Sequence, residues 1–423
     1  MAQTFTGTSN INLLLPIGQF GSRLSAGKDA ASCRYIFTRL SAITPALFKG
    51  EDSPLLIPQD DDGQPIEPRY YLPVLPMVLV NGACGIGTGF STSVPQYNPE
   101  DIARNLERLM DGEEPLPMVP WYRGFSGCIE QGQGTNFVTR GVYSKISEDT
   151  LEITELPVGR WTNDYKEFLE GLLPESGTVS KKSKRLVIAG YENHSSEVKV
   201  CFRVTFPRGS LDAAMAEEQF ESDMHLTTTL TTTNMHLYTE RQQIKKFSCT
   251  TAILRHYYAL RLDLYTARKA WLVKRLRRDL AVSSNKIRFL EGIMDDSIVV
   301  FRRSRGDVVE MLETQGFQRY CATPDLASED PDRDGDFGYL TSMHIASFTT
   351  ERIEALKREA EERQVQLDGV LRTPEKQMWR DDIRDVLAKR TDIDRELLDG
   401  HAAVAVPGSK KKKAQPRRKA VVV

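Results

Sequence analysis

Tyr35 directly follows Arg34 at the end of a stretch of small residues, and Arg23 and Lys28 lie a short way upstream. A phenol attacks a phosphodiester when nearby cations favour the phenolate and neutralise the charge that develops on phosphorus. Arg34, Lys28 and Arg23 supply such cations in sequence proximity, although an isolated Arg-Tyr pair is more often surface and core packing. Residues 1–49 set Arg23, Lys28, Arg34, Arg39 and Lys49 against Asp29 alone, a local charge of +4. A phosphate-binding surface is therefore expected in this part of the chain.

Other motifs are mainly informative by exclusion. A glycine-dense loop, Asn81-Gly82-Ala83-Cys84-Gly85-Ile86-Gly87-Thr88-Gly89, follows a run from Tyr71 to Val80 that reads as buried strand. It has neither the Lys-Ser/Thr ending of a P-loop nor a complete G-x-G-x-x-G opening a helix, so it reads as a tight backbone turn and not as a nucleotide cradle. Asp60-Asp61-Asp62 before Gly63 reads as a solvated turn, and no acidic cluster near the N-terminus has the spacing of a Mg²⁺ site. No H-x-x-x-H pair, G-x-S-x-G elbow or C-x-x-C occurs, so no metal ligand is assigned and hydrolase, zinc and disulfide readings lack support.

These segments sit in a chain of 423 residues, 40% apolar and 8% aromatic, enough for several folded units. The longest apolar run, Val74 to Val80, is interrupted by Pro76 and is far shorter than the roughly 20 residues of a membrane span. The first residues lack a secretory signal, and six scattered cysteines fit a reducing, intracellular compartment. The net charge is −2, but Lys410 to Lys413 with Arg417, Arg418 and Lys419 place seven positive charges in a tail. The tail reads equally as a nuclear import signal or a phosphate-binding arm, with a solubilising role also open, and is expected to be disordered.

Asp101 to Met110 reads as a helix, residues 120–245 as β-rich with one helix near 162–173, and 174–197 as an exposed connection. From about 250 to 297, Ile253, Tyr257, Leu260, Leu264, Ala267 and Trp271 recur at alternating spacings of four and three, the seam of a coiled coil. Leu356, Ala360, Arg363, Leu367 and Val370 repeat it, and Trp379, Ile383 and Val386 continue the helix beyond Pro374. The simplest architecture is a long antiparallel helical pair carrying a compact unit, about 298–348, at its far end.

Taken together, several segments resemble the eukaryotic-type type IIA DNA topoisomerases. Asn12 to Arg23 and Gly27 to Thr38 are similar to that family's winged-helix segment around its catalytic tyrosine. Pro73 to Gly89, Asp111 to Pro117 and Ile153 to Val158 are similar to its later landmarks, and the likeness continues through Leu254 to Leu272 and the Trp379 helix. Cys33 stands where proline is expected and Cys84 where an acidic residue is common.

The resemblance implies a mixed α/β and α+β multidomain fold: a partial winged helix, an α+β tower and a long antiparallel coiled coil with a small globular tip. Its units would be residues 1–48, the C-terminal part of the winged helix with the catalytic tyrosine; 49–92, a connection and DNA-wedge loop; 93–245, the tower; 246–298 and 349–400, the coiled-coil arms; 299–348, a C-gate dimerisation unit; and 401–423, a disordered basic tail. Tyr35 would form a 5′-phosphotyrosyl link, with Arg34 supporting the transition-state charge. Ile86 would be a wedge between base pairs, and Gly85 and Gly87 would let the backbone approach DNA. Arg23 and Lys28 would add phosphate contacts. The implied partners are double-stranded DNA, a second copy through the C-gate, and the ATPase and TOPRIM half expected to lie outside this chain through truncation or a split gene. That half would hold the Mg²⁺ ligands and use ATP. The expected location is the nucleus, with a DNA-containing organelle as the alternative, and a noncatalytic DNA-binding and dimerisation module is the alternative function.

Overall fold

The computed structural model describes residues 1–174, 186–321, 332, 335–344 and 349–404. Near the start, β1 (Leu14–Ile17) and β2 (Phe37–Leu40) pair antiparallel with Ile17 opposite Phe37. The short helix α1 (Thr44–Leu47) then buries Ala46 and Leu47 against Val74, Leu75, Leu79 and Val80. β3 (Pro58–Asp61) and β4 (Gln64–Pro68) form an exposed hairpin, turned where the Gly63 amide donates to Asp60 Oδ1 at 3.0 Å. This is the turn expected of the three aspartates.

The run Tyr71 to Val80 is not the strand its composition suggests. Pro73 and Pro76 each lack an amide donor, so the chain stays irregular until α2 (Met77–Val80). Its burial is nevertheless complete at Val74, Leu75, Leu79 and Val80. The glycine-rich stretch beyond it is more ordered than a loop: β5 (Ala83–Gly87) pairs with β6 (Phe90–Val94), setting Ile86 opposite Ser91. Thr88 and Gly89, at φ 53° and 79°, form a two-residue turn with both residues left-handed, which matches the twist of an antiparallel pair. Helix α3 (Pro99–Asp111) follows, capped at its start by the Asn98 side chain and stopped by Gly112 in the left-handed region.

Next comes an α+β body made of β7 (Cys128–Gln131), β8 (Phe137–Arg140), β9 (Val142–Lys145), β10 (Thr150–Glu155), α4 (Thr162–Gly171), β11 (Gly190–Asn193), β12 (Phe202–Thr205), α5 (Ser210–Met215), α6 (Phe220–Asp223) and β13 (Thr227–Leu230). One sheet has the order β11-β12-β10-β9 and another β13-β8-β7, all neighbours antiparallel. Leu151, Ile153, Phe202 and Val204 alternate inward onto Tyr165 and Leu169 of α4. Within the connection expected over 174–197, residues 175–185 lie outside the described residues, while β11 makes part of the remainder a sheet edge. The hairpin of β14 (Met235–Tyr238) and β15 (Ile244–Phe247) closes this part.

Helix α7 (Thr250–Met294) runs for 45 residues, about 68 Å at 1.5 Å per residue. The chain continues through α8 (Arg305–Thr314) and α9 (Gly338–Thr341), then returns as α10 (Thr350–Arg372) and α11 (Glu375–Val404). Lys357 meets Glu291 at 2.8 Å and Arg363 hydrogen-bonds Ser283, so α10 runs antiparallel to α7. On α10, Leu356 and Leu367 are buried and Ala360, Arg363 and Val370 half-buried, the seam their spacing predicts. On α7 the seam differs: Ile253 and Leu264 are buried but Ala267 is exposed, and the inward face carries Arg261, Tyr265 and Arg268 instead. Trp379 stacks on Tyr258 and Tyr265, joining α11 to α7. At the far end Phe289, Ile298, Val308, Leu312, Phe317, Phe337 and Leu340 form a separate small core. Most of the basic tail, and the disorder expected there, falls outside the described residues.

Candidate nucleic-acid interface

Tyr35 sits on a single 3₁₀ turn, Cys33–Tyr35, between the loop that leaves β1 and the start of β2. Its amide donates to Ser32 O at 2.9 Å, and its side chain is 67% exposed, so the phenol is held by backbone and left open to solvent. The Arg34 guanidinium lies 5.2 Å from the centre of the Tyr35 ring. The loop leading to it is shaped by glycine: at Gly21, φ is +92° and a Cβ would come within 2.5 Å of the Gly27 backbone. Lys28, Arg34 and Arg39, all from this N-terminal segment, are exposed, and none forms an ion pair among the described residues. An exposed phenol 5.2 Å from an exposed guanidinium is one part of what attack on a phosphodiester needs.

Arg23 is not exposed with them. It is 5% exposed, bonded to Glu155 and, at 3.1 Å, to Leu156 O, so it pins the loop to β10 and cannot meet a phosphate in this conformation. Burying a charge requires a partner, and Glu155, far away in sequence, provides it. The same carboxylate accepts from Ser126 N and Oγ at 3.2 and 3.0 Å. Asp29 is also engaged locally, by the Ser22 amide and hydroxyl. Burial alone would raise its pKa, but these hydrogen bonds outweigh it and hold the carboxyl below its ordinary value.

Ile86 projects from the β5–β6 hairpin and is 84% exposed, more than any other large apolar side chain described. A Cβ added to Gly85 or Gly87 would meet nothing within 4 Å, so packing inside the protein does not explain these glycines. The hairpin is supported from one side by residues 231–238. Thr88 Oγ1 lies 2.8 Å from Tyr238 Oη, Asn234 Nδ2 donates to Ser91 Oγ at 3.0 Å, and His236 Nδ1 is 3.0 Å from Ser91 O. None of these supporting residues stands out in the sequence, because their partners are more than a hundred positions away.

An exposed phenol beside a guanidinium, a projecting apolar hairpin and paired helical arms stand together in this chain, and comparison identifies its class. The chain belongs to the family of DNA gyrase/topoisomerase IV A subunits, whose model matches residues 1–384. More particularly, it is similar to DNA topoisomerase 2 of Arabidopsis thaliana, 37% identical over 441 residues that cover 97% of this chain and 29% of the relative. The corresponding Plasmodium falciparum protein is 39% identical over 407 residues, covering 91% of this chain and 28% of the relative. The crystal structure of the Plasmodium falciparum topoisomerase II DNA-binding, cleavage and re-ligation domain matches with a TM-score of 0.84 at 37% identity, covering 95% of this chain and 55% of that one. The chain thus spans less than a third of the length of these curated relatives.

The family implies Mg²⁺, and the residues around Tyr35 do not fit it. Asp29, the one acidic residue of positions 1–49, is engaged by Ser22, and the described residues contain no group of three or more His, Cys, Asp or Glu placed to hold a metal ion. No helix among the described residues is long and apolar enough to cross a membrane.

Proposed function

We propose that this chain supplies the DNA-breaking and rejoining surface of a type II DNA topoisomerase, with Tyr35 as nucleophile. The exposure of Tyr35 beside the Arg34 guanidinium carries the reading. The phenolic oxygen bonds to a backbone phosphorus while the P–O3′ bond breaks; the phenol gives up its proton and the departing 3′ oxygen gains one. One ester replaces another, so the reverse attack by the 3′ hydroxyl reseals the strand and frees the tyrosine. Arg34 stabilises the extra negative charge on phosphorus, Lys28 holds the flanking backbone, and Ile86, freed by Gly85 and Gly87, wedges between base pairs to bend the duplex. Residues 93–245 extend the DNA surface as a tower, and 299–348, on arms 246–298 and 349–400, form a dimeric exit gate. Mg²⁺ ligands and the ATPase belong to a TOPRIM- and ATPase-bearing half outside these residues, and the complete enzyme works on nuclear DNA.

Covalent capture of end-labelled duplex DNA, with a relative's complementary half and Mg²⁺ supplied, tests the assignment. The chain should retain label after denaturation, and Tyr35→Phe should retain none. Capture that survives Tyr35→Phe would remove Tyr35 from the role.

A further inference from the structure

We infer that Tyr238 and His236 on β14, with Asn234 just before it, are positioning residues that hold the Ile86 wedge at the height and angle needed to bend DNA. The inference rests on the wedge reading above. A two-stranded hairpin alone is marginally stable in water, and an apolar tip pushed between base pairs must resist being folded back. Unstacking a base step costs free energy, so a compliant hairpin would yield before the DNA does.

The contacts lie where such a load would act. Ser91 is the cross-strand partner of Ile86. Asn234 donates to its hydroxyl and His236 meets its carbonyl, both at 3.0 Å. The His236 ring lies 5.3 Å from that of Phe90, the next residue toward the turn. At the turn itself, Thr88 and Tyr238 join through their hydroxyls at 2.8 Å. Farther down, the Ser93 hydroxyl donates to Thr231 O at 3.2 Å. The brace thus follows β6 from the turn to its base, leaving the Ile86 side free. Tyr238 is 63% exposed, so its hydroxyl is not needed to fill a core.

The test uses the full chain and a fluorophore-labelled duplex, reading binding by anisotropy and bending by energy transfer. Variants are Ile86→Ala, Tyr238→Phe, His236→Phe, the Tyr238→Phe/His236→Phe pair, and Thr88→Val, which removes the turn contact from its other end. The pair should lower the bent fraction at least threefold with Kd changed less than twofold. Thr88→Val should match Tyr238→Phe, and in an Ile86→Ala background none should lower bending further. If Ile86→Ala reduces bending while the brace variants leave it intact, the brace is wrong and the wedge stands. If Ile86→Ala leaves bending unchanged, the wedge reading fails and the brace with it. A parallel loss of affinity in the brace variants would make these residues DNA contacts and overturn the positioning role.

Discussion

Arg268 grips both carboxylate oxygens of Asp52, its Nε 2.6 Å from Oδ1 and its Nη2 2.7 Å from Oδ2. Arg261 adds Nη1 to Oδ2 at 2.7 Å, and the third Arg268 nitrogen reaches Asp382 Oδ2 at 2.8 Å. Tyr265 lies beneath both guanidiniums, 4.5 and 4.4 Å from its ring centre, and donates its hydroxyl to Asp382 at 2.7 Å. Lys49 completes the group at 2.9 Å from Asp382. The short 3₁₀ segment that holds Asp52, α7 and α11 are therefore locked at one buried point.

Removing Asp52 leaves two buried arginines without their main counter-charge. Asp52→Ala should cost about 3–5 kcal/mol, the range for breaking one side of a buried ion pair. Urea unfolding measures it, and a loss below about 1 kcal/mol would show that the network is no stronger than a surface pair.

The same network predicts a pH profile. Burial would raise the pKa of Asp382, but Tyr265, Lys49 and Arg268 outweigh it and leave the folded value lowered; Asp385 is lowered likewise, through Lys389 and Lys49. Stability from these groups is therefore present above the unfolded carboxylate pKa of about 4 and lost as pH falls through the folded value. For Lys49, burial lowers the pKa but Asp382 and Asp385 raise it on balance. Its contribution is full below the unfolded value near 10.4 and is lost as pH rises through the folded one. The contribution of this network should thus be flattest between about pH 5 and 9, and Asp382→Asn should reduce the fall of the thermal midpoint on the acid side. An acid limb unchanged by Asp382→Asn would place the sensitive carboxylates elsewhere.

How much of this was legible in sequence depended on whether the partner was local. The α10 seam is a local period and could be read directly, and Arg34 and Tyr35, adjacent in a contiguous motif, stand together and exposed. Arg23 reads in sequence as an exposed cation because its neighbours are basic, while Glu155, 132 positions on, decides its burial. Asp52, Arg261 and Arg268 were missed because hydropathy patterns assign charge to the outside, although two arginines seven apart with Tyr265 between them share one helix face. Over Tyr71–Val80 the burial was legible for Val74, Leu75, Leu79 and Val80 but not for the exposed Tyr71, and the conformation was not, since two prolines outweigh strand propensity.

The tip of the helical arms exposes Met294, Val299 and Phe301, the last at 66%. As the proposed exit gate, this surface should hold two copies together, so the full chain should sediment as a dimer at tens of micromolar. Phe301→Glu should shift it toward monomer without changing its thermal midpoint by more than a degree or two. A chain that remains monomeric at that concentration would count against the gate.

Cleavage should depend on groups that the region around Tyr35 does not provide. Attack by a phenol leaves an alkoxide that needs stabilising, and in two-metal phosphoryl chemistry acidic side chains position the cations that do so. Here Asp29 is committed to Ser22, Glu155 to Arg23 and Asp52 to the two arginines of α7. None is free to serve Tyr35. The 423-residue chain alone should therefore bind duplex DNA, with affinity falling steeply as salt rises because Lys28, Arg34 and Arg39 meet phosphates. It should neither hydrolyse ATP nor retain end-labelled DNA covalently, at any Mg²⁺ concentration. Adding a TOPRIM-bearing half from a relative should restore Mg²⁺-dependent capture at least a hundredfold above background, and Arg34→Ala should then lower the cleavage rate by about 10²–10³, as loss of one transition-state donor does elsewhere, with DNA affinity little changed. Robust Mg²⁺-dependent capture by the chain alone would mean that acids within it reach Tyr35 after all.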